Sequence, residues 1–326
     1  MFKNLIVYRI GPDWAPDRDQ FEAALAASAF IPCGATQAMS YGWVPPRGIE
    51  HAPLIEVVNG HLLLKLQTET RVLPGSVVKR RVDEMAARVE QETGRKPGKK
   101  IQKELKEQAT LELLPMAFTK QSAIRVWIAP AERLLMIDAS SPTRAEELVT
   151  LLVKSFDGLA LHLIQTAESP AVCMAAWLMD GVPPAGFTID RDCELKSGDE
   201  MRSVVRYARH ALDTEEVRQH LQGGKAPTKL ALTWKDRVSI LLTDTLQIKK
   251  ISFLDVIFEN RDKPAKDEAF DADAVIATTE LGKLIPELIE ALGGEHDFLG
   301  SAPTSAAPAA LPVAATEQEL AEAPWA

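Results

Sequence analysis

The sequence predicts an α+β fold built from mixed, short antiparallel sheets. The dipeptide Asn59-Gly60 separates two apolar runs, and both residues readily adopt the positive φ values of a type I′ hairpin turn. Over residues 76–92 apolar side chains instead recur every three or four positions, which is the period of a helix with one buried stripe. Residues 181–258 show mostly short strand patterns around one helix. Strand and helix periods therefore both occur, in separate stretches of the chain.

Composition narrows the class of protein. The chain has 326 residues, 46% of them hydrophobic and 25% charged, with a net charge of −9, which is typical of a soluble globular protein. Its cysteines, Cys33, Cys173 and Cys193, are odd in number and lack a Cys-x-x-Cys pair, so neither a disulfide framework nor a zinc site is indicated. The apolar start is too short for a signal peptide, and no run approaches the roughly 20 apolar residues of a membrane helix. We predict a cytoplasmic protein with no cofactor and no metal.

The first third of the chain opens with a strand and a helix. Residues 2–10 are rich in β-forming side chains, and residues 17–30 have helical spacing behind an acidic start. A rigid, proline-containing loop follows at residues 42–48. The hairpin then comprises strands at residues 54–58 and 61–68 around Asn59-Gly60.

A pair of helices with a basic tip is predicted next. The helix at residues 76–92 has Gly94 as its stop signal, and a second helix covers residues 98–113. Residues 94–106 contain six basic side chains and one acidic one, in a chain that is acidic overall. Because the connecting turn is itself basic, we predict a protruding helical hairpin whose tip contacts phosphates. The alternative is a solvated helix face without a partner.

The remaining elements follow the same reasoning. Strands are predicted at residues 124–128, 134–138, 159–164 and 201–208, and helices at residues 214–221 and 274–292. Thr143 and Glu146 have the spacing of a capping box at the start of a further helix. A kink or break is expected near Pro286. The tail, which is rich in alanine and proline, is predicted to be disordered.

We predict six segments. They are an N-terminal part of a central α+β region (1–75), the helical hairpin (76–116), the rest of the central region (117–180), a β-rich second region (181–260), a C-terminal helix (261–300) and the tail (301–326).

A second basic cluster lies in the β-rich region. If residues 201–208 form a strand, Arg202 and Arg206 share one face and Arg209 lies near its end beside His210. Lys225 and Lys229 follow. Acidic residues lie between these cations, so the sequence indicates a patch and not a basic tail.

Candidate catalytic motifs are weak. The alternating carboxylates of residues 190–194 could hold Mg²⁺ for phosphodiester cleavage, but no partner motif follows, and we interpret this segment as a solvated loop. Gly223-Gly224-Lys225 lacks the spacing of a phosphate-binding loop, and no nucleophile elbow or zinc-hydrolase motif occurs. We predict no catalytic site.

Several sequence blocks resemble one family. They are Phe2-Lys3-Asn4-Leu5 with Tyr8-Arg9, Phe30-Ile31-Pro32-Cys33-Gly34, Gly42-Trp43-Val44-Pro45-Pro46, Leu113-Leu114-Pro115-Met116-Ala117-Phe118, Lys229-Leu230-Ala231-Leu232 with Trp234, and Phe270-Asp271-Ala272-Asp273. In this order and over roughly residues 1–296, they are similar to the recombination-associated protein RdgC family.

The resemblance implies a function and some residue roles. It implies a homodimer closed into a ring, whose positive hole encircles double-stranded DNA without reading sequence, and which restrains strand exchange driven by the recombinase RecA. It also implies a nucleoid-associated location and no catalysis. The family's basic hairpin residue corresponds to Arg95, its dimer-interface aromatic to Phe118, and its Lys-Gln pair to Arg209 and His210. Met116 replaces an arginine of the family, which removes a charge.

The resulting interpretation is a sequence-independent DNA-binding protein that forms a ring. Single-stranded DNA is a second candidate ligand. One alternative is a regulator that binds the recombinase directly without encircling DNA, and another is a metal-dependent nuclease. The predicted dimer contact is Phe118, and the predicted DNA contacts are Arg95, Lys96, Lys99, Lys100, Lys103, Arg206, Arg209, His210, Lys225 and Lys229.

Overall fold

Two antiparallel sheets form the framework of the computed structural model, which describes residues 2–14, 17–259 and 268–296. The first sheet has the strand order β2-β4-β5-β6-β1-β7, with β3 paired to β4. Its strands are β1 (Ile6–Ile10), β2 (Met39–Val44), β3 (Glu56–Val58), β4 (His61–Arg71), β5 (Thr119–Ala129), β6 (Leu134–Ile137) and β7 (Leu161–Leu163).

The second sheet is built from the later half of the chain, in the order β12-β11-β10-β8-β9. Its strands are β8 (Phe187–Ser197), β9 (Val204–Tyr207), β10 (Lys225–Trp234), β11 (Val238–Thr243) and β12 (Ile248–Phe253). Leu5 and Ile248 exchange backbone hydrogen bonds of 2.7 and 3.0 Å across the two sheets. The side chain of Arg9 donates to Glu295 at 2.9 Å, so the start of the chain is also tied to its last described turn.

Seven α-helices lie in the described ranges. They are α1 (Arg18–Ala26), α2 (Gly75–Thr93), α3 (Lys99–Leu113), α4 (Pro142–Ser155), α5 (Pro170–Asp180), α6 (Glu215–Gln222) and α7 (Ala269–Ala291). The described residues up to Glu295 form one compact unit. The predicted tail, residues 301–326, lies outside the described residues.

The central strands of the first sheet are buried on both faces. Val126 and Ile128 of β5 belong to a core shared with α1 and α4, whereas Trp127 and Ala129 belong to a core shared with the second sheet, α5 and α7. This division follows from the two-residue period of a strand. Each large side chain buried here contributes about 1.5–3 kcal/mol to folding, so the two cores dominate the stability of the unit.

The predicted α+β class and most predicted elements are confirmed. Asn59 and Gly60 have φ values of 50° and 82°, as a type I′ turn requires. The side chain of Asp17 caps α1 by accepting hydrogen bonds from the amides of Asp19 and Gln20. The helices predicted at residues 76–92 and 98–113 are α2 and α3.

Several local predictions are wrong. Thr143 does not cap α4, because the helix begins at Pro142 and Ser141 is its N-cap. Residues 190–194 are not a solvated loop but part of β8, where neighbouring strands satisfy their carboxylates. The strand predicted at residues 201–208 covers only Val204–Tyr207, so Arg202 lies outside it, in a turn with a φ of 46°.

The predicted interruption at Pro286 does not break the last helix, since α7 continues through it to Ala291. Leu284, Ile285 and Leu288 around the proline are buried, and their packing outweighs a proline cost of about 3 kcal/mol. One helix was missed: α5 is apolar on most sides and so gives no amphipathic period, although Ser169 caps its start and Gly181 ends it with a φ of 67°.

Blocks that carry the family resemblance meet in space. A Cβ atom on Gly42 would lie 2.4 Å from the backbone of Phe30, so only glycine fits where these two segments cross. Arg47, just after the Gly-Trp-Val-Pro-Pro block, donates two hydrogen bonds of 2.9 and 2.6 Å to Asp271 of α7. These contacts give the blocks a structural reason to occur together.

A half-buried histidine in the first sheet is expected to make the stability of the fold depend on pH. His61 packs edge-on against Trp127 with ring centroids 5.5 Å apart, and its Nδ1 atom makes no hydrogen bond with the described residues. Burial lowers the pKa of His61, and the charge of Glu132 opposes this shift only in part. Protons therefore bind the unfolded chain more readily than the folded one, and stability should fall as the pH drops below about 6.5.

Urea unfolding at pH 8, 6 and 5 measures this dependence. We expect His61→Phe, which keeps an aromatic ring against Trp127, to lose less stability on acidification than the unaltered protein. His162→Phe changes an exposed histidine and is the matched control. Equal acid sensitivity of His61→Phe and the unaltered protein would contradict the expectation.

Candidate nucleic-acid interface

The turn between α2 and α3 is fixed by its glycines and by packing below it. Gly94 ends α2 in the left-handed conformation, with a φ of 69°, and Gly98 is the N-cap of α3. Val78 on α2, and Leu105 and Ala109 on α3, are buried, and the two helices pack against each other. The turn is thereby held on two packed helices.

Four cations at this turn are exposed and form no ion pair with any described carboxylate. We call them the tip cations: Arg95, Lys96, Lys99 and Lys100. Lys103, one turn farther along α3, lies 3.9 Å from Glu107, but both side chains are largely exposed and such a pair contributes little. The five predicted hairpin contacts are therefore together and available to a ligand.

The first turn of α3 carries two lysines and no acidic residue. A helix N-terminus has a partial positive charge, so each cation placed there costs about 0.3–1 kcal/mol, whereas a bound anion is favoured. A bound phosphate would offset the unfavourable interaction between these two lysines and the N-terminus of α3. Overall, residues 75–113 contain ten basic and seven acidic side chains, which gives +3 in a chain of −9.

Arg71 connects the base of the helix pair to the segment that carries Phe118. Its guanidinium donates hydrogen bonds of 3.1 Å to the carbonyls of Leu114 and Ala117. The amide of Val72 donates to the carbonyl of Phe118 at 2.7 Å. The backbone of Phe118 is thus held by hydrogen bonds, although the residue as a whole is 87% exposed. A large aromatic side chain displayed in this way is typical of a protein-docking anchor.

The second predicted cluster is partly neutralised by an acid. Glu194 on β8 lies directly between Arg206 on β9 and Lys229 on β10 in the sheet register. Its carboxylate is 2.7 Å from the Arg206 guanidinium and 3.0 Å from the Lys229 ammonium. Burial alone would raise the pKa of Glu194, but the hydrogen bonds from Lys229, Arg206 and Thr228 lower it to about 2. Both predicted cations therefore already have a partner.

The other members of this cluster differ in availability. Arg209 has a φ of 54°, its amide donates to Asp192 at 2.9 Å, and its side chain is exposed. His210 is exposed beside Tyr207. Lys225 is half-buried, with its ammonium 3.4 Å from the ring of His220. Arg209 and His210 thus remain candidates on geometry, and Lys225 is less accessible.

Neutralising Glu194 should strengthen any DNA binding by this sheet. In Glu194→Gln the two cations lose their anionic partner, and we expect duplex affinity at 100 mM salt to rise roughly three- to tenfold, with a steeper salt dependence. Glu287→Gln removes the same charge from the Lys235 pair elsewhere and is the matched control. An unchanged affinity in Glu194→Gln, measured by fluorescence anisotropy, would exclude Arg206 and Lys229 as DNA contacts.

The carboxylates of residues 190–194 do not converge on a metal position. Asp190 accepts hydrogen bonds from Thr233, Asp192 accepts one from a backbone amide, and Glu194 is paired with cations. Within residues 2–14, 17–259 and 268–296, no group of three or more His, Cys, Asp or Glu side chains could hold a metal ion.

Sequence reasoning missed two residues that shape this surface. Arg71 orients the Phe118 segment, and Glu194 neutralises two predicted contacts. Strand pairing alone brings these partners together, so no local pattern pointed to them. Among the described helices, none is long and apolar enough to cross a membrane.

Comparison with known proteins gives one consistent answer. Residues 1–295 match a family model described as "Putative exonuclease, RdgC". A protein named Recombination-associated protein RdgC from Herminiimonas arsenicoxydans is 44% identical over 297 residues, covering 90% of this chain and 98% of that protein. Proteins of the same name from Cupriavidus pinatubonensis and Bordetella pertussis are 45% and 43% identical, each over 90% of this chain and over 99% and 98% of their own length.

Proposed function

Because this chain belongs to the RdgC family, whose curated members are named recombination-associated proteins, we propose that it binds double-stranded DNA without reading its sequence. In this proposal it acts as a closed dimeric ring on the nucleoid and restrains strand exchange by RecA. The observation that carries the proposal is the group of four exposed tip cations, which pair with no described carboxylate and lie on the turn between α2 and α3.

Phosphate contact explains why an acidic protein can hold DNA. Each cation that neutralises a phosphate releases condensed counterions, so a local cluster contributes to binding even when the net charge is negative. Lysine and arginine contacts to phosphates position the duplex but carry no sequence information. We therefore expect similar affinity for unrelated sequences.

Ring closure supplies retention that a single patch lacks. A protein held at one basic patch dissociates quickly, whereas a closed dimer must open or slide off a DNA end before it leaves. In the proposal, the exposed ring of Phe118 fills a pocket on the second subunit and keeps the ring shut. A protein that stays on DNA in this way obstructs a recombinase because it occupies the DNA that the recombinase needs.

The proposed activity is binding, without cleavage. The family model's description mentions an exonuclease, whereas the curated relatives are named for recombination. Incubation of labelled linear duplex with the protein and Mg²⁺ distinguishes the two, since a nuclease shortens the label-bearing strand with time. If highly purified protein still shortened the labelled strand, the protein would be a nuclease and the present proposal would be wrong.

A salt titration on two unrelated duplexes tests the proposal directly. Each neutralised phosphate contributes about −0.9 to the slope of log K against log salt, so a steep slope common to both sequences is expected. A matched single strand shows whether the duplex is preferred. Absence of binding at low salt would favour a regulator that binds the recombinase directly, and strong preference for one duplex would indicate base recognition.

A further inference from the structure

A groove of about 860 Å³ runs between α2 and α3, on one side of the helix pair. Its floor is apolar and its rim is basic. Floor residues include Leu73, Val78, Val82, Ala86 and Leu114, and the rim carries Lys79, Lys99, Lys103 and Lys106, with Asp83 as the one acidic lining residue.

The rim lysines are largely uncompensated. Lys79, Lys99 and Lys106 form no ion pair with any described carboxylate, and Lys103 has only the weak contact with Glu107. Like charges held around one opening repel each other and favour an anionic occupant. The groove is therefore electrostatically suited to carboxylates or phosphates.

The apolar floor favours the carboxylates of a peptide over the phosphates of DNA. A DNA backbone needs cations that project to its phosphates, and it gains nothing from valine and alanine side chains lying between two helices. A peptide with apolar side chains on one face gains from covering them, as amphipathic helices do in hydrophobic grooves. The volume also lies within the usual range of pockets that bind ligands.

We propose that this groove docks an acidic amphipathic segment of another protein, whose aspartate and glutamate side chains lie on the lysine rim and whose small aliphatic side chains cover the floor. The site overlaps the proposed DNA surface only in part, because Arg95, Lys96 and Lys100 do not line the groove. It shares Lys99 and Lys103 with the predicted DNA surface, so an acidic partner and DNA compete for those two side chains.

The test uses the full chain and a defined probe. The probe is a fluorescein-labelled helical peptide of sixteen residues with leucine or alanine along one face and glutamate elsewhere, compared with a peptide in which lysine replaces each glutamate. We expect only the acidic peptide to bind, with an anisotropy change that saturates. The double variant Lys79→Glu/Lys106→Glu should weaken binding at least tenfold, whereas Arg88→Glu, an exposed cation of α2 outside the groove, should not.

The floor has its own matched pair of variants. Ala86→Gln places a longer polar side chain in the groove and should weaken peptide binding at least fivefold, while Ala87→Gln, one position along on the exposed surface, should leave it unchanged. Both variants keep the charge and a good helix-forming residue. Equal binding by Ala86→Gln and the unaltered protein would overturn the proposal, because it would leave only non-specific charge attraction.

Other occupants are separated by further measurements. If the acidic peptide bound at least tenfold tighter to a chain ending at residue 296, the chain's own acidic residues would compete for the groove, and the external partner would be wrong. If the peptide bound only when the protein was diluted below the dissociation constant of the proposed dimer, a second copy of the chain would be the occupant. If Ala86→Gln weakened duplex binding as much as peptide binding, the floor would belong to DNA. Unchanged binding in the first two measurements, with duplex affinity retained by Ala86→Gln, supports the proposal.

Discussion

Replacing the four tip cations with glutamate should reduce duplex affinity by more than 100-fold at 100 mM salt. The cations are exposed and lack ion-pair partners among the described residues, so their full charge is available to phosphates. Losing four phosphate contacts should make the negative slope of log K against log salt shallower, by up to about 3.6 for each subunit. Because none of these side chains is buried, the folded structure should persist.

The control variant has the same change in net charge, but its four substitutions lie away from the tip. Glutamate at Arg18, Lys154, Lys250 and Lys283 alters four exposed cations on other elements and makes the chain equally more acidic. Anisotropy titrations over a salt series, together with circular dichroism, compare the two variants. A similar loss of affinity in both would show that net charge and not the tip governs binding, and an unchanged slope in the tip variant would exclude the tip as a phosphate site.

Phe118→Ala should weaken the proposed dimer by about 30-fold or more, which corresponds to at least about 2 kcal/mol. Phe118 is 87% exposed and packs little within its own subunit, so the loss of its ring should leave the melting temperature of the subunit almost unchanged. Sedimentation velocity across a range of protein concentrations measures the shift between monomer and dimer. Ile49→Ala, which truncates another exposed apolar side chain at 61%, is the control.

DNA topology provides a second measurement for the same variant. A closed ring cannot leave circular DNA without opening, so the unaltered protein should resist a high-salt challenge on circles and should be lost from linear DNA. Phe118→Ala should be lost from both at similar rates. If the variant remained dimeric and stayed on circles, Phe118 would not hold the ring closed.

The sequence predicted those parts of the fold that local patterns determine. The type I′ turn at Asn59-Gly60 and the pair α2 and α3 follow from φ preferences and from helical period, which act over a few residues. The error at Thr143 is also local, since Pro142 at the first helical position and Ser141 before it are the stronger start signal. Helix α5 was missed because it is apolar nearly all round, although its Ser-Pro start and glycine stop could have revealed it.

The parts of the site that the sequence did not predict depend on distant partners. Glu194 meets Lys229 only because β8 and β10 pair in one register, 35 positions apart in the chain, and this contact changes the meaning of two predicted DNA contacts. Arg71 fixes the Phe118 segment across more than 40 positions. A count of charges along the sequence cannot show which cations have a partner, because the partners come together only in the folded chain.

The contacts between residues near the N-terminus and residues far along the chain have a consequence for its synthesis. Leu5 pairs with Ile248, and Arg9 reaches Glu295 across 286 positions. At roughly 5–20 residues per second, a ribosome needs on the order of ten seconds to a minute to supply these partners. Throughout that interval the N-terminal strands lack the partners that they have in the complete fold. A chain that ended before α7 would lack the apolar side chains that this helix buries in the core, so we expect it to be degraded and not to work as a smaller protein.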